Sequence, residues 1–511
     1  MLLRMMIMEK IAIIDLGSNS ARLVLVDILE GGYFSVVDQL KETVRLAQDM
    51  EDDGFLKQGR INQAIKTFKM FRKLCDANKV DRIYAFATSA VRRAKNQRGF
   101  LDEILATTGI KVRVLDENEE AQLIYQGVIN SLDVPRGIIM DIGGGGIQFI
   151  YYNRRNLLGH ATLPIGAVTL TEMFAGEELS PEERNDKIYA YVRQQLDNVE
   201  WMNDIAPDTR LIGVGGSFRN LGKISRMLKK YPLDMAHNYV ISATELQGIY
   251  ANIKKLSLDK TMKIKGLSSL RADIFPAALA AVNAVTDKLG LEDAVISGCG
   301  LREGAMFRYA VPSTNEKPLS DVLGHSIYSL LNFFGENIEH AEQVYNLSVQ
   351  LFKQLKVLHK LPRAYVKVLR TAAMLHDAGN RVKYYDHQKH SAYIILNSGL
   401  YGISQKDLIM SAFVAELHRK GELSMPEFMR YRELLTDEDV DAIYKLGVIV
   451  RIAESFDRSM SGVIKTITCD VLGDSVIMKT EADGDCSLEI KDAMQAGANF
   501  RKAYKKNLQI L

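Results

Sequence analysis

The sequence predicts an α/β protein followed by a nearly all-helical region and a small α+β tail. Three observations carry this. A strand–turn–strand pattern occurs twice, strand-like and helix-like stretches alternate through residues 1–310, and strand candidates become sparse between residues 318 and 460. In the first copy an apolar strand ends at Asp15, the turn Leu16-Gly17-Ser18-Asn19-Ser20 follows, and an apolar strand returns. In the second, Asp141 precedes Ile142-Gly143-Gly144-Gly145-Gly146 and the chain again returns as an apolar strand.

Taken in order, the lead Met1 to Met8 is apolar but interrupted by Arg4. It is too short for a signal or membrane segment and reads as a ragged translation start. Residues 11–15 and 21–28 are the first strands. Residues 58–78 carry Ile61, Ile65, Phe68 and Phe71 at helical spacing. Residues 82–87 and 111–115 read as strands, and Asp116 with Glu119 three positions on is a capping box opening a helix. The pattern restarts at residue 137. Glycines punctuate strand ends at Gly213-Val214-Gly215-Gly216 and at Gly298-Cys299-Gly300, each before a helix-like run. Residues 463–472, 475–479 and 487–490 read as three strands of the tail, and 491–506 as its helix. These shifts divide the chain into segments 1–130, 131–312, 318–460 and 461–511.

The chain has 511 residues, 47% hydrophobic and 25% charged, with a net charge of +2. That balance gives no global field for a nucleic acid or another polyanion, so any anion site is local. No stretch is long and apolar enough for a membrane span. The four cysteines lie far apart without a CxxC pair, which predicts a reduced, cytoplasmic setting.

The chemistry is concentrated at the two turns. Matched turns facing each other across a cleft would aim backbone N–H groups at one phosphate chain, and Asp15 and Asp141 beside them would hold a divalent cation. Glycine supplies positive φ at any turn, so a single such turn carries little weight; the pair carries more. The candidate phosphate contacts are Gly17, Ser18, Asn19, Gly143, Gly144, Gly145, Gly215, Gly216 and Ser217. The segment from Ala87 to Asn96 adds hydroxyls at Thr88 and Ser89 at a strand end and the cations Arg92, Arg93 and Lys95 in the following turn, where arginine can grip phosphate in bidentate fashion. In the capped helix Glu119 has a structural task, which leaves Glu120 as the carboxylate able to polarise a water.

These residues resemble the exopolyphosphatase / guanosine pentaphosphate phosphohydrolase (Ppx/GppA) family, in its long form. The matching stretches are 15–20, 87–96, 118–127, 141–145, 213–217 and 298–304, in family order. The resemblance implies two actin-like (ribonuclease H-like) ATPase subdomains, then an all-α HD-like domain and a small α+β C-terminal domain. It implies Mg2+-dependent release of terminal phosphate from inorganic polyphosphate or of the γ-phosphate of pppGpp, by a homodimer. By motif position Glu120 would be the base, Asp141 the metal-linked acid and Arg92 the grip on the chain. Ser18, Asn19, Gly144, Gly145 and Gly216 would form the cradle. One departure stands out. The family usually continues the second turn Gly-Gly-Gly-Ser-Thr-Glu, and here Gly146 replaces the hydroxyl residue and Gln148 the carboxylate.

Seven of the nine histidines fall between His325 and His418. His340, the pair His376-Asp377 and Asp457 resemble the HD phosphohydrolase metal site, with imidazole and carboxylate ligands for a second divalent metal. Three functions therefore stay open. The first is an exopolyphosphatase-type hydrolase. The second is an HD-domain metal-dependent nucleotide phosphohydrolase, and the third a non-catalytic regulator binding polyphosphate or guanosine penta- or tetraphosphate.

Overall fold

The computed structural model describes residues 7–48, 50, 54–176 and 178–511. Most of the Met1 to Met8 lead therefore lies outside the described residues. The chain forms two units, residues 7–322 and Leu323–Leu511. No helix among the described residues is long and apolar enough to cross a membrane.

The first unit holds two sheets, each with its own core. Strands β1 (Ile7–Leu16), β2 (Ser20–Leu29), β3 (Phe34–Thr43), β4 (Arg82–Ala87) and β5 (Val112–Val114) form a sheet in the order β3-β2-β1-β4-β5. Strands β6 (Arg136–Ile142), β7 (Ile147–Asn153), β8 (Asn156–Leu163), β9 (Arg210–Val214), β10 (Tyr239–Ser242) and β11 (Asp293–Ile296) form the other, in the order β10-β11-β9-β6-β7-β8. In each sheet three antiparallel strands lead into parallel ones, β1 with β4 and β6 with β9. Buried aliphatic strand residues such as Ile14 and Leu25 meet Phe68 and Phe71 of the helix Gln58–Ala77 in the first core. In the second, Met140 and Leu211 meet the helices Pro181–Leu196 and Phe275–Leu289.

The predicted hairpins are thus three-stranded meanders. Strands β3 and β8 escape a reading by apolar runs because their side chains are largely exposed or half-buried. The capping box is present: Glu119 N–H donates to Asp116 at 2.8 Å and Asp116 N–H to Glu119 at 3.1 Å. The helix it opens, Glu117–Ile129, packs on the helix Leu301–Ala310 at two glycines. A Cβ on Gly127 would lie 2.9 Å from Gly304 N, and one on Gly304 would strike the Leu123 carbonyl, so the backbones touch where no side chain fits.

In the second unit, Val366–Leu375, His387–Asn397, Gln405–Lys420 and Asp437–Ser455 are among the helices stacked around Leu369, Phe413 and Ile449. A sheet of β12 (Ile464–Leu472), β13 (Ser475–Ala482) and β14 (Asn507–Ile510) follows. It is tied to the helix Ile338–Gln354 through Gln343 donating to the Ile464 carbonyl and Ile467 N–H donating to Gln350. Here the sequence reading needs correction. Residues 487–490 are not a strand but open the helix Ser487–Met494, and a second helix, Gly497–Tyr504, follows after a break. The third strand is the last, Asn507–Ile510. Burying Ala493, Phe500 and Tyr504 requires helical spacing, which the polar–apolar alternation of Ser487-Leu488-Glu489-Ile490 does not reveal.

Candidate functional site

The two matched turns adopt the same local geometry. Gly17 N–H donates to the Ser20 carbonyl at 3.1 Å and Gly143 N–H to the Gly146 carbonyl at 2.9 Å. The carbonyls between are tied back to the following chain: Ser18 to Ala47 N–H, Asn19 to Val44 and Arg45, Gly143 to Ala167, and Gly144 to Val168 and Thr169. Gly166 lies so close behind the second turn that a Cβ there would meet the Gly146 nitrogen at 2.5 Å. The turns face each other, since a Cβ on Gly144 would lie 3.8 Å from Ser18 Cβ.

Between them is a cleft of about 240 Å³. It is lined by Asp15, Asp141, Glu120, Arg92, Thr88 and Ser89, by Gly17, Ser18 and Asn19, by Gly143, Gly144 and Gly145, and by Gly215 and Gly216. Ser217 stands apart: it is buried in the start of the helix Gly215–Leu228 and does not line the cleft. Gly215 has φ +90°, and a Cβ there would lie 2.5 Å from Asp141 Oδ1, so only glycine passes this carboxylate.

Burial dominates the electrostatics. It raises the Asp15 carboxyl above its ordinary value against the pull of Arg22, and it lifts Asp141 to about 6 against Arg219, with Asp15 adding like-charge repulsion. It lifts Glu120 to about 7, although a hydrogen bond from Arg92 opposes the shift. Arg92 Nη1 donates to Glu120 Oε2 at 2.8 Å and to the Leu115 carbonyl at 2.8 Å. Its guanidinium therefore holds Glu120, whereas Arg93 approaches the second turn: a Cβ on Gly145 would lie 2.9 Å from Arg93 Nη2.

Sequence reasoning missed much of the cationic wall. Arg22, Arg219, Arg271, Arg302 and Glu303 also line the cleft. Burial lowers Arg22 to about 10 and depresses Arg219 and Arg271, each crowded by neighbouring arginines. Arg22 carried a readable signal, because the β1–β2 register pairs it with Asp15 as the β6–β7 register pairs Gln148 with Asp141. Arg219 follows the Gly215-Gly216 turn on its helix. Arg271 arrives on a 3-10 turn and has no local signal. Gln148 is buried in the lining, and its Oε1 has no hydrogen-bond partner. A neutral amide thus occupies the place where the resemblance implied a carboxylate.

Two buried carboxylates supply hard oxygen donors, which fit a Mg2+ ion. Six arginines line the cleft around them, which suits an anion far more highly charged than one phosphate monoester.

The histidine quartet also comes together, in the second unit. His340 Nδ1 lies 2.7 Å from Asp457 Oδ2, and His340 Nε2 and His376 Nε2 lie 4.0 and 3.6 Å from the Asp377 carboxylate. His387 and His418, absent from the quartet, converge on the same carboxylate at 3.1 and 3.9 Å. His390 belongs to neither group, although the helix His387–Asn397 begins early enough to include it.

A model of the Ppx/GppA phosphatase family matches residues 24–311, and one of domain III of the same phosphatases matches residues 323–492. The chain is 28% identical over 405 residues to a guanosine-5'-triphosphate,3'-diphosphate pyrophosphatase of Aeromonas hydrophila, covering 78% of this chain and 79% of that protein. Among solved structures it is similar to an exopolyphosphatase of Cytophaga hutchinsonii, with TM-score 0.55 and 26% identity over 59% of this chain and 98% of the other. It is also similar to the Ppx/GppA family member of Aquifex aeolicus, with TM-score 0.52 and 26% identity over 60% and 98%.

Proposed function

Because the chain belongs to the Ppx/GppA phosphatase family, we propose that it is a phosphoanhydride hydrolase that removes the terminal phosphate of inorganic polyphosphate or the γ-phosphate of pppGpp. The observation that carries this reading is the pair Glu120–Arg92 beside a cleft floored by Asp15 and Asp141. In this mechanism the amide edges of the two turns and Arg22, Arg93, Arg219, Arg271 and Arg302 hold the phosphate chain. Glu120 takes a proton from a water as the water oxygen attacks the terminal phosphorus. The anhydride P–O bond breaks, and the leaving phosphate oxygen departs as an anion screened by the arginines. Asp15 and Asp141 would hold Mg2+, which supplies charge neutralisation on the phosphate oxygens when bound. Gln148 adds no charge to that ligand set.

The test is phosphate release from long polyphosphate and from pppGpp with Mg2+. Glu120→Gln is expected to lower kcat by about 10²- to 10⁴-fold while retaining substrate binding. The base works deprotonated, so kcat should rise with pH through about 7, the value burial gives Glu120. Binding of both ligands without turnover in any metal would favour the regulatory reading.

The helical unit supports a second reading, as an HD-like phosphohydrolase domain carrying a divalent metal. It is favoured by the meeting of His340, His376 and Asp377. Loss of nucleotide hydrolysis in Asp377→Ala, with phosphate release from polyphosphate retained, would assign activity to that unit.

A further inference from the structure

Of the six described arginines that line the cleft, Arg271 alone stands on neither a strand nor an α-helix. It closes the 3-10 turn Ser269–Arg271, within the connection 254–274 that joins the helices Ala243–Ile253 and Phe275–Leu289. Connections of this length are uncommon in compact units and are usually functional.

The connection is laid along the helix Gly215–Leu228 and touches it three times. Gly266 meets Ile224: its φ is +94°, and a Cβ there would lie 3.0 Å from Ile224 N. Ser268 N–H donates to Asn220 Oδ1 at 2.8 Å. Arg271 lies on Gly216, where a Cβ would strike its guanidinium. Positions 216, 220 and 224 recur every four residues, so the three contacts share one helix face.

Charge does not anchor Arg271. Burial and the like charge of Arg22 both depress its pKa, against the pull of Asp141 and Asp273. Such a group gains by swinging out to water, so its aim depends on how firmly its main chain is held.

That hold runs through Asn220. Its Nδ2 donates to the Gly216 carbonyl at 2.7 Å while its Oδ1 accepts Ser268 N–H. Only one amide orientation satisfies both partners, because the flipped side chain would set N–H against N–H and carbonyl against carbonyl. The Ser268 carbonyl in turn accepts Arg271 N–H at 2.9 Å. The residue gripped by Asn220 therefore opens the turn that carries Arg271.

We infer that Asn220 is a positioning residue, which pins the connection to the helix and so aims Arg271 at the phosphate chain beside Gly216. This rests on the phosphate-cleft reading above and goes beyond it, since Asn220 itself does not line the cleft. An arginine that grips the chain equally before and during reaction contributes uniform binding. Losing its aim raises KM and leaves kcat nearly unchanged.

The experiment is a double-mutant cycle in the full chain. Phosphate release from polyphosphate with Mg2+ gives kcat and KM, and calorimetric titration with tripolyphosphate in the Glu120→Gln background gives Kd. Arg271→Ala is expected to raise KM and Kd by about 10- to 100-fold, and Asn220→Ala by about 3- to 10-fold. Once Arg271 is alanine, adding Asn220→Ala is expected to change neither. Gly266→Ala, which lifts the connection off the helix by another route, should repeat the pattern, with folding checked by circular dichroism and thermal melting. No effect of Asn220→Ala, equal losses with and without Arg271, or a fall in kcat at constant KM would overturn the role of Asn220 and leave the hydrolase reading standing. A wild type that releases no phosphate while the Kd cycle holds would overturn the hydrolase reading alone. No binding of tripolyphosphate in the Glu120→Gln background would overturn both.

Discussion

At the scale of single residues, function rests on charges held where water is scarce. Glu120 reaches about 7 because burial outweighs the stabilising bond from Arg92. Removing that cation raises the carboxyl further, because an opposite charge at hydrogen-bond distance favours the ionised form. Arg92→Gln should therefore move the pH–rate midpoint upward, by on the order of one unit, on top of any loss in kcat. Gln148 tests the floor of the cleft. Gln148→Glu would add a carboxylate opposite Asp141, where the register places it. The added negative charge should tighten Mg2+ and raise the pKa of its acidic neighbours. A Mg2+ titration of phosphate release is expected to show a lower half-saturating concentration, and the pH midpoint should again move up. Unchanged Mg2+ dependence would show that position 148 does not face the ion.

Among elements, the site depends on how closely two backbones pass. The helix Glu117–Ile129 carries Glu120 near its start and crosses Leu301–Ala310 at Gly127 and Gly304. Neither glycine is needed for a turn; each is needed because the neighbouring backbone occupies the space of a Cβ. Gly304→Ala should destabilise the chain by roughly 1–3 kcal/mol, the usual cost of overpacking, measured by chemical denaturation. It should also lower kcat, since relieving the clash shifts the helix that aims Glu120. The same elements show what local reading can reach. Asp116 and Glu119 announce the helix start by spacing alone, and the hairpins announce themselves by apolar runs. Strands β3 and β8 do not, because a half-exposed edge strand has no apolar run to read. The helix Ser487–Met494 reads as a strand because Ser487-Leu488-Glu489-Ile490 alternates polar and apolar, and four residues are too few to reveal a helical period.

For the whole molecule, each unit has its own core. The Aquifex and Cytophaga structures are matched over 98% of their length by about three-fifths of this chain. A chain ended at residue 322 should accordingly fold and release phosphate from short polyphosphates, as read by a cooperative thermal transition and a phosphate assay. An unfolded product would show that the helical unit is required for stability. The sequence by itself determined the two Asp-turn corners, the capped helix with its glutamate, the order of the motifs and the change to helix after Pro312. Each is encoded within a dozen neighbouring residues, where backbone period, turn chemistry and capping act. Only the tertiary structure decided that Arg92 braces Glu120 and that Arg22, Arg219, Arg271 and Arg302 surround one cleft. It alone added His387 and His418 to Asp377, and it withdrew Ser217 from the cleft. These groups come from distant strands and helices. Their meeting is fixed by sheet register, helix crossing and burial, which no local spacing records.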